Sequence, residues 1–182
     1  MFGIQSYSFR KANSIKQKDN PVLKTIHIYT FKNRFKTVYI VNVEEYKHEM
    51  FILKFHTKAH KSSINKYNLL TKEGDARRII FTCIKIAQQI HLVNERASFG
   101  FIGSPLMAEK RRKNRLSNTK RFRVYKKFAA FFFSPDSFVH SVDADHSSYL
   151  LFNRNQIRLN PDLNKDVVSM FENYFDLTEL FQ

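Results

Sequence analysis

Residues 69–102, LLTKEGDARRIIFTCIKIAQQIHLVNERASFGFI, decide how the chain folds. From Asp75 onward Ala76, Ile79, Ile80, Cys83, Ile84, Ile86, Ala87 and Ile90 recur at three- and four-residue steps. That spacing predicts an amphipathic helix with one buried face. Asp75 or Gly74 suits its N-cap, where a short polar side chain or a glycine is favoured. Ala97–Ile102 (ASFGFI) reads as the next strand, ended by Gly103-Ser-Pro105. A long helix set between strands calls for a sheet covered by helices.

Upstream, Thr25–Phe31 (TIHIYTF), Thr37–Val43 (TVYIVNV) and Met50–Phe55 (MFILKF) are rich in β-branched and aromatic residues. They predict three strands, with EEYKHE as a hairpin connection and an antiparallel start to the sheet. Residues 11–20 (KANSIKQKDN) are polar and read as loop. Downstream, Ser117 or Asn118 caps a helix that places Phe122, Tyr125, Phe128, Ala129 and Phe132 on one side. Residues 147–152 (SSYLLF) read as a late strand. Asn160-Pro161-Asp162 marks a last helix, with Pro at its first position. Leu163, Val167, Met170, Phe171, Tyr174, Leu177 and Phe181 form its apolar stripe.

The expected fold is mixed α/β: one domain with a twisted, mostly antiparallel sheet and helices on its faces. Residues 1–24 read as an extension and 25–153 as the core. Residues 154–182 read as an amphipathic helix that packs on the core, on a protein partner or in a homodimer.

Charge separates the chain into two parts. The net charge is +15, yet residues 136–182 hold three Lys or Arg against eight Asp or Glu. Between Lys110 and Lys127 ten Lys or Arg occur with no acid among them. Such a run opposes a polyanion, with nucleic acid (RNA or DNA) as the expected partner; the alternative is a solvated basic face. Lys110, Arg111, Arg112, Lys113 and Arg115 lie in the preceding loop, and helical spacing puts Lys120, Arg123 and Lys127 on one outward stripe. The single Cys83 excludes an intramolecular disulfide and fits a reducing, cytoplasmic setting. No apolar run approaches the roughly 20 residues a membrane helix needs, so no membrane association is expected.

Arg77 and Arg78 stand in the first turn of a helix, where the macrodipole disfavours cations. An anion held by the free N–H groups there reverses that penalty, and Gly74 and Ala76 leave room for it. The competing explanation is a solvated pair, or a salt bridge to Glu73 or Asp75. Tyr125 faces inward two turns into its helix. It serves as a general acid if it borders a cleft and as core if it does not.

The order of these elements resembles the GNAT acyltransferase core. In that family a Q/R-x-x-G-x-G/A turn holds the coenzyme A pyrophosphate, and an N-x-x-A-x-x-x-Y helix supplies a tyrosine that protonates the departing thiolate. The matching residues are Gly74 and Ala76 in the turn, and Asn118 and Tyr125 in the helix. Thr71 stands where the family has Gln or Arg. Residues 56–70 also intervene between the strand and the turn, which the family usually joins directly. The resemblance implies acetyl-CoA or another acyl-CoA as cofactor, bound by Gly74, Asp75, Ala76, Arg77, Arg78 and Asn118. It implies N-acyl transfer, here to an amine associated with nucleic acid, with Tyr125 as acid. Glu44 and Glu45 are the general-base candidates by position, and Glu45 is preferred. A non-catalytic nucleic-acid-binding protein on the same scaffold is the alternative.

The remaining signals are weaker. His56 and His60 have helical metal-ligand spacing but stand at a strand end, and no metal is expected. Cys83 belongs to an apolar helix face and reads as core. Asp136, Asp143, Asp145 and His146 read as a turn-rich acidic loop.

Overall fold

A computed structural model describes residue 3 and residues 5–67, 74–102, 119–145 and 147–174. Its strands are β1 (Phe9–Lys16), β2 (Leu23–Lys32), β3 (Val38–Tyr46), β4 (Met50–Thr57), β5 (Ser98–Ile102), β6 (Phe138–Asp143) and β7 (Ser148–Asn153). The helices are α1 (Ala76–Val93), α2 (Lys120–Phe132), α3 (Arg154–Leu159) and α4 (Leu163–Tyr174). All seven strands join one sheet in the order β1-β2-β3-β4-β5-β7-β6. Every neighbouring pair is antiparallel except β4 and β5, which the α1 crossover makes parallel.

Two cores follow from strand alternation. Tyr39, Val41 and Val43 of β3, Phe51 and Leu53 of β4, and Phe99 and Phe101 of β5 pack under α1 and α2. The inward faces of those helices carry Ile79, Ile80, Cys83, Ile84, Ala87, Phe122, Tyr125, Phe128 and Ala129. On the opposite side Val22, Tyr46, Met50, Ile52 and Phe152 meet Leu163, Val167, Met170 and Phe171 of α4. The sheet is therefore the middle of three layers.

Gly100 explains how the central strands approach so closely. A Cβ there would sit 2.2 Å from Ile52 Cδ1 and 3.1 Å from both Leu150 Cδ2 and Met50 Cε. Gly100 pairs with Ile52 on one side and Leu150 on the other, so flanking side chains fill the space above it.

Four local readings of the sequence need correction. Residues 9–16, expected as loop from Lys11, form β1 because main-chain pairing to β2 sets this edge strand, and its outward side chains need no apolar pattern. The acidic stretch after Asp136 contains β6, buried mainly through Phe138, and its turn is closed by Asp145 N–H donating to Asp143 at 3.0 Å. The cap of α2 is Thr119, not Ser117 or Asn118: its hydroxyl accepts from Phe122 N–H at 3.2 Å. The last helical region is split, with Asn160 ending α3 and α4 beginning at Leu163.

Among the described residues no helix is long and apolar enough to cross a membrane.

Candidate functional site

The carboxyl ends of β4 and β5 form the structural centre of the site. Parallel pairing runs from Met50↔Ser98 to Leu53↔Phe101, and β4 continues to Thr57; residues 103–118, which follow β5, lie outside the described residues. The last half of β4 thus has no β5 partner among the described residues. Both α1 and α2 begin at this end of the sheet, since each follows the carboxyl end of a strand in the parallel pair. Carboxyl ends of parallel strands flanked by helix N-termini are where α/β sheets commonly receive anionic ligands.

Gly74 has φ of +67°, a left-handed conformation that favours glycine, and it is exposed immediately before α1. Asp75 occupies the N-cap position, yet its side chain makes no capping bond. Its buried carboxylate instead accepts from the Tyr7 hydroxyl. Burial, followed by that bond, raises the Tyr7 phenol above its ordinary range. Tyr7 also holds α1 through its backbone N–H, which donates to Thr82 Oγ1 at 3.0 Å. The Arg78 guanidinium lies 4.0 Å from the Tyr7 ring centroid, while Ala76 and Arg77 are exposed. Among the described residues no ion pair joins Arg77 or Arg78 to Asp75. The helix therefore starts without a side-chain cap and with two cations beside it. Nothing in the sequence pointed to Tyr7; it reaches this turn only because β1 joins the sheet.

Tyr125 projects from the second turn of α2 into the core, 5% exposed, with its ring 5.8 Å from that of Phe101. Phe101 pairs with Leu53 of β4, and Tyr125 belongs to the buried core cluster beneath α1 and α2. Desolvation raises its phenol well above the ordinary range; nearby Arg121 lowers it and Cys83 adds to the rise. The group is a neutral acid at physiological pH. Asn118, Thr71, Lys110, Arg111, Arg112, Lys113 and Arg115 lie outside the described residues. Lys120 opens α2, and Arg123, Lys126 and Lys127 are exposed along it.

Glu45 is not brought to this place. It pairs with Phe51 near the start of β4 and lines an open cleft of about 440 Å³ with Gln89, Ile90, Val93 and Asn94 from the far end of α1. At a 1.5 Å rise per residue the helix is roughly 27 Å long, which separates Glu45 from the Gly74–Arg78 turn. Its carboxylate is 2.9 Å from His27 Nε2, and His27 Nδ1 is 2.9 Å from Ser14 Oγ. This chain of contacts stitches β1, β2 and β3 together. Glu44 points to the other face, buried, accepting from the Tyr46 hydroxyl at 2.7 Å and pairing with Lys54 at 2.9 Å.

A further polar cluster follows along that face. His56, the penultimate residue of β4, is 5% exposed, with the Tyr67 ring edge-on at 5.3 Å. Tyr67 accepts from Asn42 Nδ2 at 2.9 Å, and its backbone carbonyl accepts from the Arg121 guanidinium. The metal spacing of His56 and His60 gave no hint of this, because His56 belongs to a strand and His60 to the turn after it. Among the described residues no three His, Cys, Asp or Glu gather as metal ligands.

No protein-family model, curated protein or solved structure matches this chain. Any functional reading therefore rests on the chemistry of these residues.

Proposed function

We propose that the chain is an acyl-CoA-dependent N-acyltransferase of GNAT-like layout, acting on an amine associated with nucleic acid. One observation supports the reading: α1 begins without a side-chain cap, with Arg77 and Arg78 in its first turn. The N–H groups of the first turn, with Arg77 and Arg78, receive its pyrophosphate. Gly74 lets the backbone approach those oxygens.

In the reaction the neutral amine attacks the thioester carbonyl carbon. The tetrahedral intermediate then collapses with cleavage of the carbon–sulfur bond. Tyr125 donates its phenolic proton to the departing thiolate, and the extra proton released by the new amide restores it. Glu45 is too remote from the turn to serve as a general base, and Glu44, on β3, faces the opposite side of the sheet. Calorimetric titration with acetyl-CoA tests the reading: saturable binding is expected, and its absence at millimolar ligand removes the enzyme and its cofactor together.

The alternative, a non-catalytic nucleic-acid-binding protein, draws on the +15 net charge and the exposed Arg123, Lys126 and Lys127. Neutralising phosphates makes affinity fall steeply with salt. Replacing Lys110, Arg111, Arg112, Lys113 and Arg115 by Ser is expected to flatten log affinity against log salt by about 0.7–0.9 for each phosphate no longer neutralised. Filter binding of an oligonucleotide between low and moderate salt measures this. An unchanged slope means that the segment touches no phosphate.

A further inference from the structure

His56 has no part in the acyl transfer described above, yet among the described residues its ring is a buried polar group left without partners. Both ring nitrogens are buried, and neither has a hydrogen-bond partner among the described residues. Native proteins rarely leave buried polar atoms so, and such groups commonly mark a ligand or functional position. The ring projects to the face of the sheet opposite α1 and α2, because its strand neighbour Phe55 packs against the core beneath those helices.

The charges around it have one dominant sign. Lys66, His60 and Lys61, from the segment after β4, all act on the imidazole. Lys54 precedes it on the same face of β4 and is engaged by Glu44, which also holds the Tyr46 hydroxyl. Tyr67 closes one side, fixed by Asn42 of β3 and Arg121 of α2. Glu44 is the one carboxylate in this group, and it already has two partners.

We propose that His56 is the buried donor of an oxyanion-binding site on this face, with Lys61 and Lys66 supplying the charge and Tyr67 the wall. The ligand is a tetrahedral oxyanion, either free or as the phosphoryl group of a larger molecule. One imidazole N–H donates to it directly, and protonation of the second nitrogen strengthens the contact. Desolvation, followed by Lys66, His60 and Lys61, holds the empty ring neutral, lowered to about 4. An anion in the site opposes each of those effects and raises the pKa. Binding then tightens as pH falls through the raised value and levels off at the pKa of the empty site.

Inorganic sulfate is the suitable probe because it keeps its full charge across the whole range in which His56 titrates. In the full chain, histidine-resolved NMR is expected to show the His56 pKa rising by about one unit or more at saturating sulfate, a tenfold linkage. A His56 pKa that stays put while sulfate is saturating overturns the proposal. His56→Phe keeps the ring volume and removes both nitrogens. It is expected to weaken sulfate about tenfold or more while acetyl-CoA affinity is unchanged. Undiminished sulfate affinity in a variant that retains its cooperative melt overturns the site; if the variant does not fold, the NMR titration of the unaltered chain decides. The site does not depend on the acyltransferase reading, since the probe contains no acyl donor. Displacement of sulfate from His56 by acetyl-CoA overturns it as a site distinct from the cofactor cleft.

Discussion

Tyr125→Phe is expected to lower the turnover of acetyl transfer by about 10²-fold or more while leaving acetyl-CoA affinity unchanged. The substitution removes one oxygen and keeps the ring against Phe101, so packing is preserved and only the acid is removed. Its effect should fall on kcat, because the proton moves only as the carbon–sulfur bond breaks. Burial raises the Tyr125 phenol, so the acid form persists through neutral and mildly alkaline pH. The pH–rate profile should accordingly show no loss of this acid below about pH 10. Steady-state kinetics of both forms provide the check. Equal turnover assigns Tyr125 to the core alone.

Phe99→Ala is expected to cost about 3–5 kcal/mol. Phe99 is fully buried, with ring centroids of Phe51, Phe133 and Phe138 at 6.0, 5.7 and 6.2 Å. It thereby joins β4, β5, the end of α2 and β6, and these surroundings cannot collapse onto the void without moving several elements. For a chain of this size the loss corresponds to roughly 6–20 °C in Tm. That is a large share of a typical stability of about 5–15 kcal/mol. Phe131 is 59% exposed and serves as the control; its truncation should stay within about 0.5 kcal/mol. Thermal melts of the two variants test this, and equal shifts would contradict the placement of the core.

Periodicity made the centre of the fold legible. The three- and four-residue spacing of α1 and the β-branched runs of β2, β3 and β4 each have a buried face, so the pattern records the packing. Edges are different. Strand β1 is held by main-chain hydrogen bonds and carries Arg10, Lys11 and Lys16, so its sequence resembles a polar loop. Strand β6 buries little beyond Phe138 and is obscured by its acidic turn.

The candidate site was legible in part for the same reason. Gly74, Arg77 and Arg78 sit where a helix start places them, and Tyr125 occupies the apolar stripe that its spacing predicts. Glu44 and Glu45 could have been separated from the sequence, because adjacent residues of a strand face opposite sides of the sheet. Tyr7 and His56 were beyond local reasoning. The first depends on a contact with Asp75 across 68 residues, and the second on the segment that folds back over β4.

Calorimetric titration of the intact chain with acetyl-CoA tests the central claim most directly, with Arg77→Ser alongside it. Arg77 is exposed at the uncapped turn, so its replacement should leave the fold intact. The expected result is one saturable site with Kd on the order of micromolar, weakened about tenfold by the substitution. No heat of binding at millimolar acetyl-CoA, from a chain that still melts cooperatively, would contradict the account.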